Sequence, residues 1–299
     1  MDSYIDQFIQ YLQVERNYSP HTIAAYARDV GDFHDFVLKW FDGKKVDPQQ
    51  LDPQLLRWYL ASLWRQDLSK TTIGRKLAAL RAFFTFLFIR GIVRENPTRQ
   101  IARPKTERPL PSVLKDSELA VLIDSCDDTP LGQRDRAILE LFYGSGIRLR
   151  ELAGLRLTDV DLGQKQLRVF GKGRKERLAL FGRQAAEALE RYINHGRKEL
   201  LVKGHQETTA LFLNYRGGEL SPRGIQKIVK NRAQAALARS DVSPHTLRHS
   251  CATQLLMGGC DLRSVQELLG HEKLSTTQNY TRVDRNHLKL VHNLAHPRR

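Results

Sequence analysis

Cysteine is scarce in this sequence. There are three in 299 residues, Cys126, Cys251 and Cys260. The number is odd and no Cys-x-x-Cys pair occurs, which excludes a disulfide framework and points to buried, reduced thiols in a cytosolic protein. Long apolar runs are missing too. None approaches the ~20 residues of a membrane span. The opening "MDSYIDQFIQYLQ" is acidic and amphipathic, unlike a signal peptide. A cytoplasmic chain with no membrane insertion is therefore expected. Acidic residues are in short supply, 33 against 48 Lys and Arg, for a net charge of +15 and a pI near 9.9. That deficit predicts a polyanionic partner, nucleic acid ahead of an anionic membrane. Both halves of the chain are basic, so both are expected to touch the polyanion.

Several chemistries lack their residues. No Gly-x-x-x-x-Gly-Lys-Ser/Thr loop is present: "GSGIRL" has no lysine, and "GKGRK" has the wrong glycine spacing. This argues against an ATP-driven motor. His245 and His249 have the spacing of helical zinc ligands, but Thr-Leu-Arg between them offers no glutamate base and sets a guanidinium beside the would-be dication. The carboxylates of "DVDL" (159–162) have no third acid nearby. No metal and no cofactor are expected. There is no internal repeat and no low-complexity tract.

What is present reads as a globular protein, 41% hydrophobic and long enough for two domains. The first hundred residues show helical periodicity throughout. Ile5, Phe8, Ile9 and Leu12 mark one helix. Ser19-Pro20 opens a second with Tyr26, Val30, Phe33 and Val37 as its apolar stripe. Pro53 opens a third and Ser69 caps a fourth, which Gly91 ends. Lys70, Arg75, Lys76 and Arg81 are available either to phosphates or to an ordinary solvated face. "NPTRQIARPKTERPLPS" then breaks the pattern with four prolines, and 97–112 is read as an extended interdomain linker near the polyanion. Beyond it the pattern is mixed. Helices are expected at 116–126, 130–143, 183–195 and 222–239, from Ser243-Pro244 to about 257, at 261–269 and at 284–294. Two strands, "QLRVF" and "ERLALF", flank a glycine turn at "GKGRK". The fold expected is mainly α with a small β-sheet: a helical domain over 1–96, the linker, and an α+β domain over 113–299.

"SPHTLRHS" (243–250) places His245, Arg248 and His249 on one helical face with no acid among them. Like charges so placed repel, which suggests an anion on that face. If the anion is a DNA phosphodiester, guanidinium groups suit the charge that builds on its equatorial oxygens. Arg248 fits, and His245 can add a hydrogen bond. "YGSGIRLRELAGL" (143–155) offers a second arginine, Arg148. Gly144, Ser145 and Gly146 would let backbone approach a ligand, and Glu151, three positions on, can orient Arg148. Arg150 reads better as a surface charge. In "LLGHEKLSTTQNYTR" (268–282), His271 follows a helix-ending glycine and Tyr280 lies in polar company. A phenol attacks at neutral pH only with proton removal and cationic neighbours. A leaving 5′-oxygen needs a proton, which Lys172 at the hairpin tip could supply.

Together "GIRLRE", "GKGRKERL", "HTLRHS", "LLGH" and "STTQNYT" resemble the tyrosine recombinases, the phage-integrase family. The likeness covers nearly the whole chain. It is nearest to the XerC/XerD-type resolvases of chromosome dimers, and "DLRSVQELLGH" and the "AHPR" ending favour the first of that pair. The resemblance implies a SAM-like core-binding domain and a catalytic domain closing as a C-shaped clamp on duplex DNA. It implies that Tyr280 attacks the scissile phosphate to form a 3′-phosphotyrosyl link, while Arg148 and Arg248 hold the non-bridging oxygens. His271 would hydrogen-bond the phosphate, His245 assist proton transfer with Tyr280, and Lys172 protonate the leaving oxygen. Four protomers would exchange the helix near 284–294, half of them a related XerD-type recombinase, with a septal DNA translocase as activator in the nucleoid. Arg150 stands where the family often has Ser, and Cys251 where Phe is common. The residues themselves leave His249 as packing or bonded to a backbone carbonyl. They also leave open a non-catalytic DNA-binding protein with Tyr280 inert, or a type IB topoisomerase-like enzyme.

Overall fold

The computed structural model describes the chain apart from residues 1, 45, 105–111, 171–175, 205–206, 271–294 and 299. It divides into two compact units, Met1–Pro109 and Leu110–Arg299. The described residues are mainly helical, with one small antiparallel sheet.

The first unit is built from four helices: α1 (Asp2–Val14), α2 (Pro20–Trp40), α3 (Pro53–Arg65) and α4 (Lys70–Ile89). Each start after the first is capped by a side-chain oxygen. Ser19 accepts the Thr22 N–H, Asp52 the Leu55 N–H and Ser69 the Thr72 N–H. These caps satisfy amides that the helix itself leaves without partners. α4 is the central helix, apolar around most of its girth, with Ile73, Leu77, Leu80, Phe83, Phe84 and Leu87 all buried. α1 and α2 pack on it through Phe8, Leu12, Val30 and Phe33.

Two expectations are corrected here. Residues 97–100 form a 3-10 turn, and Pro97, Thr98 and Ile101 are buried, so the start of the proline-rich segment is core rather than extended linker. Asn96 caps that turn by accepting the Thr98 N–H, which is why Pro97 can lead it. The basic residues of α4 are largely committed within the protein. Lys76 is buried against Asp29 and Asp32, Arg75 pairs with Asp29, and Arg81 donates to the Ile101 carbonyl at 2.6 Å. Of the four singled out, Lys70 and Arg75 are exposed, Arg75 while paired with Asp29.

The second unit is organised around α6 (Pro130–Ser145), buried along nearly its whole length. α5 (Asp116–Asp124) precedes it, and α7 (Leu149–Ala153) follows at once. Then comes a three-stranded sheet, β1 (Val160–Asp161), β2 (Gln166–Phe170) and β3 (Glu176–Leu180), paired antiparallel in that order. The sequence indicated β2 and β3. β1 is an addition, two residues from "DVDL" pairing Val160 with Leu167 and Asp161 with Gln166. The helix expected over 183–195 runs further: α8 (Arg183–Arg191), a π-helical turn at Tyr192–Gly196 and α9 (Arg197–Val202). α10 (Pro222–Leu237), α11 (Pro244–Met257) and α12 (Leu262–Leu269) follow among the described residues.

Ser112 donates to Asp241 and accepts from Arg239, fastening the start of this unit to the turn before α11. Near the other end, His296 is buried against Tyr143, and Arg298 pairs with buried Glu140 on α6. All three cysteines are free and buried, and burial pushes the Cys126 thiol up to about 11 and Cys251 to about 12. Among the described residues no helix is long and apolar enough to cross a membrane.

Candidate active site

Two helix ends meet here, and glycine makes both possible. α6 stops at Gly146 with φ +56° and α12 stops at Gly270 with φ +67°, each in the left-handed region that side-chain-bearing residues avoid. A Cβ on Gly146 would sit 2.2 Å from Leu269 Cδ2, so the two ends are in direct contact. Helix C-termini gather carbonyls without intrahelical partners and the negative end of the helix dipole. Arginines collect on them. Arg248, on the first turns of α11, donates through Nη1 to the Gly146 carbonyl and through Nη2 to the Leu269 carbonyl, the latter at 2.7 Å. Arg148, just ahead of α7, donates to the Gly270 carbonyl.

Glu151 organises the other side. Its carboxylate accepts the Arg148 backbone N–H at 2.9 Å and Arg148 Nη1 at 2.8 Å. It therefore caps α7 and aims the arginine at once, as its three-residue spacing suggested. A third arginine, Arg177 of β3, donates to the same carboxylate at 2.8 Å and to the Leu268 carbonyl at 3.2 Å. Sequence reading missed Arg177. In "ERLAL" the leucines mark the inward face by hydropathy, yet Arg177 shares its face with buried Ala179 and is itself only 10% exposed.

Two guanidinium groups thus bond one carboxylate, and a third, Arg248, lies within reach of their charges. Burial pushes Arg248 down to about 10, and the charges of Arg148 and Arg177 act in the same direction; it stays cationic at neutral pH. Burial alone would raise Glu151. The Arg177 charge, followed by hydrogen bonds from Arg148, outweighs it and holds the carboxyl below its ordinary value.

Of the residues named from sequence, Arg148 and Arg248 are brought together on the end of α12. His245, nearly one turn before Arg248 on α11, is exposed. Lys172, His271 and Tyr280 lie outside the described residues, as does the terminal helix expected near 284–294. Gly144 and Ser145 do not form an open approach for ligand. Both are buried in the last turn of α6, where Ser145 Oγ donates to the Leu141 carbonyl at 2.7 Å. His249 is exposed rather than packed, and Arg150 is exposed on α7, outside the cluster. Among the described residues no three His, Cys, Asp or Glu side chains gather as a metal site would need.

Comparison with known proteins gives a consistent result. The sequence model of the Phage integrase family matches residues 112–287, and that of the phage integrase N-terminal SAM-like domain matches residues 5–91. The chain is 46% identical to tyrosine recombinase XerC of Oceanobacillus iheyensis, covering 100% of this chain and 97% of that protein. It is 40% identical to tyrosine recombinase XerC of Bacillus subtilis, covering 99% and 97%. Among solved structures it resembles XerH site-specific recombinase bound to palindromic difH substrate in a post-cleavage complex. There the identity is 25%, the TM-score 0.67, and the coverage 96% of this chain and 83% of that one. A lambda integrase dimer bound to a COC′ core site shares the fold, with TM-score 0.69 at 17% identity over 91% of this chain and 92% of that one.

Proposed function

The chain belongs to the phage integrase family, the tyrosine recombinases, and is a site-specific DNA recombinase, and on that premise we propose that it resolves chromosome dimers at cell division through a 3′-phosphotyrosyl intermediate. Tyr280 is the nucleophile. Its oxygen bonds to the scissile phosphorus, the 5′-oxygen leaves, and the ester on the 3′ side conserves the bond energy for rejoining. Lys172 gives the leaving oxygen its proton, His245 takes the phenol's, and His271 donates a hydrogen bond to the phosphate. Arg148 and Arg248 bind the non-bridging oxygens as their charge grows, the interaction that contributes most in such sites.

The observation that carries this reading is the imbalance around Glu151: Arg148, Arg177 and Arg248 against a single carboxylate, in a part-buried setting. Guanidinium groups crowded in this way repel, and a phosphate relieves them. Arg148 and Arg248 each have five N–H donors, so those spent on helix carbonyls leave others for phosphate oxygens. Arg223, Lys227 and Lys230 on the exposed side of α10, a helix without an acid, support a wider contact with the DNA backbone. By family likeness the partners are a duplex recombination site and a related XerD-type recombinase in a heterotetramer that exchanges the helix near 284–294. A septal DNA translocase is the activator, and the setting is the cytoplasmic nucleoid. The helical domain, gripping DNA, takes in the buried turn at 97–101, the linker runs from there to 112, and the catalytic domain spans 113–299.

The test is a duplex carrying the chromosomal dimer-resolution site, nicked next to the cleavage position so that the cut piece diffuses away. Covalent protein–DNA adduct from the wild type, and none from Tyr280→Phe, is expected. Adduct that persists in Tyr280→Phe overturns the nucleophile, and no adduct from the wild type with or without the second recombinase overturns the reaction.

A further inference from the structure

Arg177 adds charge to the cluster but is given no contact with the phosphate in the mechanism above, yet its side chain is 10% exposed where that of Arg148 is 37%. A guanidinium this deeply set on a short strand needs a reason. We propose that Arg177 is a positioning residue for strand cleavage: it fixes Glu151, and through Glu151 the phosphate-binding Arg148, while tying the root of the β2–β3 hairpin to the end of α12. This rests on the reading that Arg148 binds the scissile phosphate.

The geometry is a bridge. Glu151 Oε1 takes Arg148 Nη1, and Oε2 takes both the Arg148 backbone N–H and Arg177 Nη2. The Arg177 contact comes from a different element, so it holds the carboxylate against rotation that the two local contacts from Arg148 would permit. The second arm of the fork reaches the Leu268 carbonyl, in the last turn of α12, whose Gly270 carbonyl in turn accepts from Arg148. The loop closes: Arg177, Glu151, Arg148, Gly270 and Leu268 form one ring of contacts. Gly270 is part of the fit, because a Cβ there would lie 2.6 Å from Arg177 Nε. On its own strand Arg177 pairs with Val169, one position inside the Phe170–Glu176 pair that closes the described hairpin. The segment 171–175, with Lys172, springs from that pair. One side chain thereby registers the paired ends of β2 and β3 against the arginine that carries the phosphate. Lysine cannot replace it. A single ammonium lacks the planar fork that spans Glu151 and the Leu268 carbonyl.

The experiment uses the full chain and the nicked dimer-resolution duplex in single turnover. One set of duplexes has the natural scissile phosphate. A second has a methylphosphonate there, which removes the negative non-bridging oxygen that Arg148 binds. Wild type, Arg177→Gln, Arg177→Lys, Glu151→Gln, the Arg177→Gln/Glu151→Gln double variant, Arg148→Ala and Tyr280→Phe are compared, with DNA affinity measured by anisotropy and folding by circular dichroism. On the natural phosphate, Arg177→Gln is expected to cleave about 100-fold more slowly with affinity within about threefold. Arg177→Lys should recover only a small part of that loss. The double variant should be no more than about twofold slower than the slower single one, since both break one linkage. On methylphosphonate the Arg177→Gln deficit should shrink to below about tenfold, in step with that of Arg148→Ala. Cleavage by Arg177→Gln within about threefold of wild type overturns the inference. So does a deficit equal on both substrates or additive with Glu151→Gln, which would make Arg177 a general structural residue. If Arg177→Gln does not fold, the Arg177→Lys variant carries the same comparison. Normal cleavage of the natural phosphate by Arg148→Ala or Tyr280→Phe would instead sink the underlying reading of the site, whatever Arg177 does.

Discussion

The two units treat buried charge in opposite ways. In the first, Asp29 is fully buried between Arg75 and Lys76, and Asp32 takes the other side of Lys76. Two cations meet two acids, and the group is neutral. In the second, Arg148 and Arg177 share Glu151, and Arg248 beside them bonds to the Gly146 and Leu269 carbonyls. A neutral network satisfies itself and serves the fold. A network left with surplus positive charge costs stability and suits an anionic ligand. Net basicity alone does not separate the two, since both units are rich in arginine and lysine. The count of acids within reach does.

Perturbing either network should expose the contrast, and the largest effect belongs to the charged site. Arg148→Ala or Arg248→Ala should lower single-turnover cleavage by about 10³-fold with the melting temperature at or above wild type, measured by adduct formation and calorimetry. Equal loss of rate and stability would erase the distinction. Next in size, Asp29→Asn should leave Lys76 and Arg75 short of one acid and cost the first unit about 3 kcal/mol in urea unfolding. Cleavage at saturating DNA and low temperature should be unchanged. A smaller effect is expected at the glycine joint. Gly270→Ala meets both the φ +67° backbone and Arg177 Nε, and should cost about 1–2 kcal/mol and slow cleavage. Gly91→Ala, with φ +69° and open space around its Cβ, should show the backbone cost without the loss of rate.

The smallest effect is in pH. The folded Glu151 carboxyl titrates below its ordinary value of 4.5. Its stabilisation is therefore complete above that value and is lost as pH falls through the lower, folded one. The stability difference between wild type and Glu151→Gln should be constant from pH 8 down to about 5 and narrow below that. A difference that widened in acid would contradict the assignment.

Much of the fold was legible. Proline at the first helical position behind Ser19, Ser221 or Ser243 reports a local capping geometry, and periodicity identified the stripes on α1 to α4. What escaped was non-local. β1 is two residues long and exists only because β2 offers it an edge. The turn at Pro97 is buried by packing against α3 and α4. Lys76 looked like a candidate for phosphate until Asp29 and Asp32, more than forty residues away in sequence, were found beside it.

The candidate site divides along the same line. Local order along the chain set the chemistry on offer: Arg148 with Glu151 three residues on, Arg248 on an acid-free helix face, and motifs whose order resembles one family. Those are statements about neighbours along the chain, which backbone geometry carries into space almost unchanged. Folding in three dimensions brought the rest: the ends of α6 and α12 abut through two left-handed glycines, their carbonyls draw the arginines together, and Arg177 turns inward to share Glu151. Each depends on contacts between segments separated by dozens of residues, where packing and charge choose the partner and local propensity has no say.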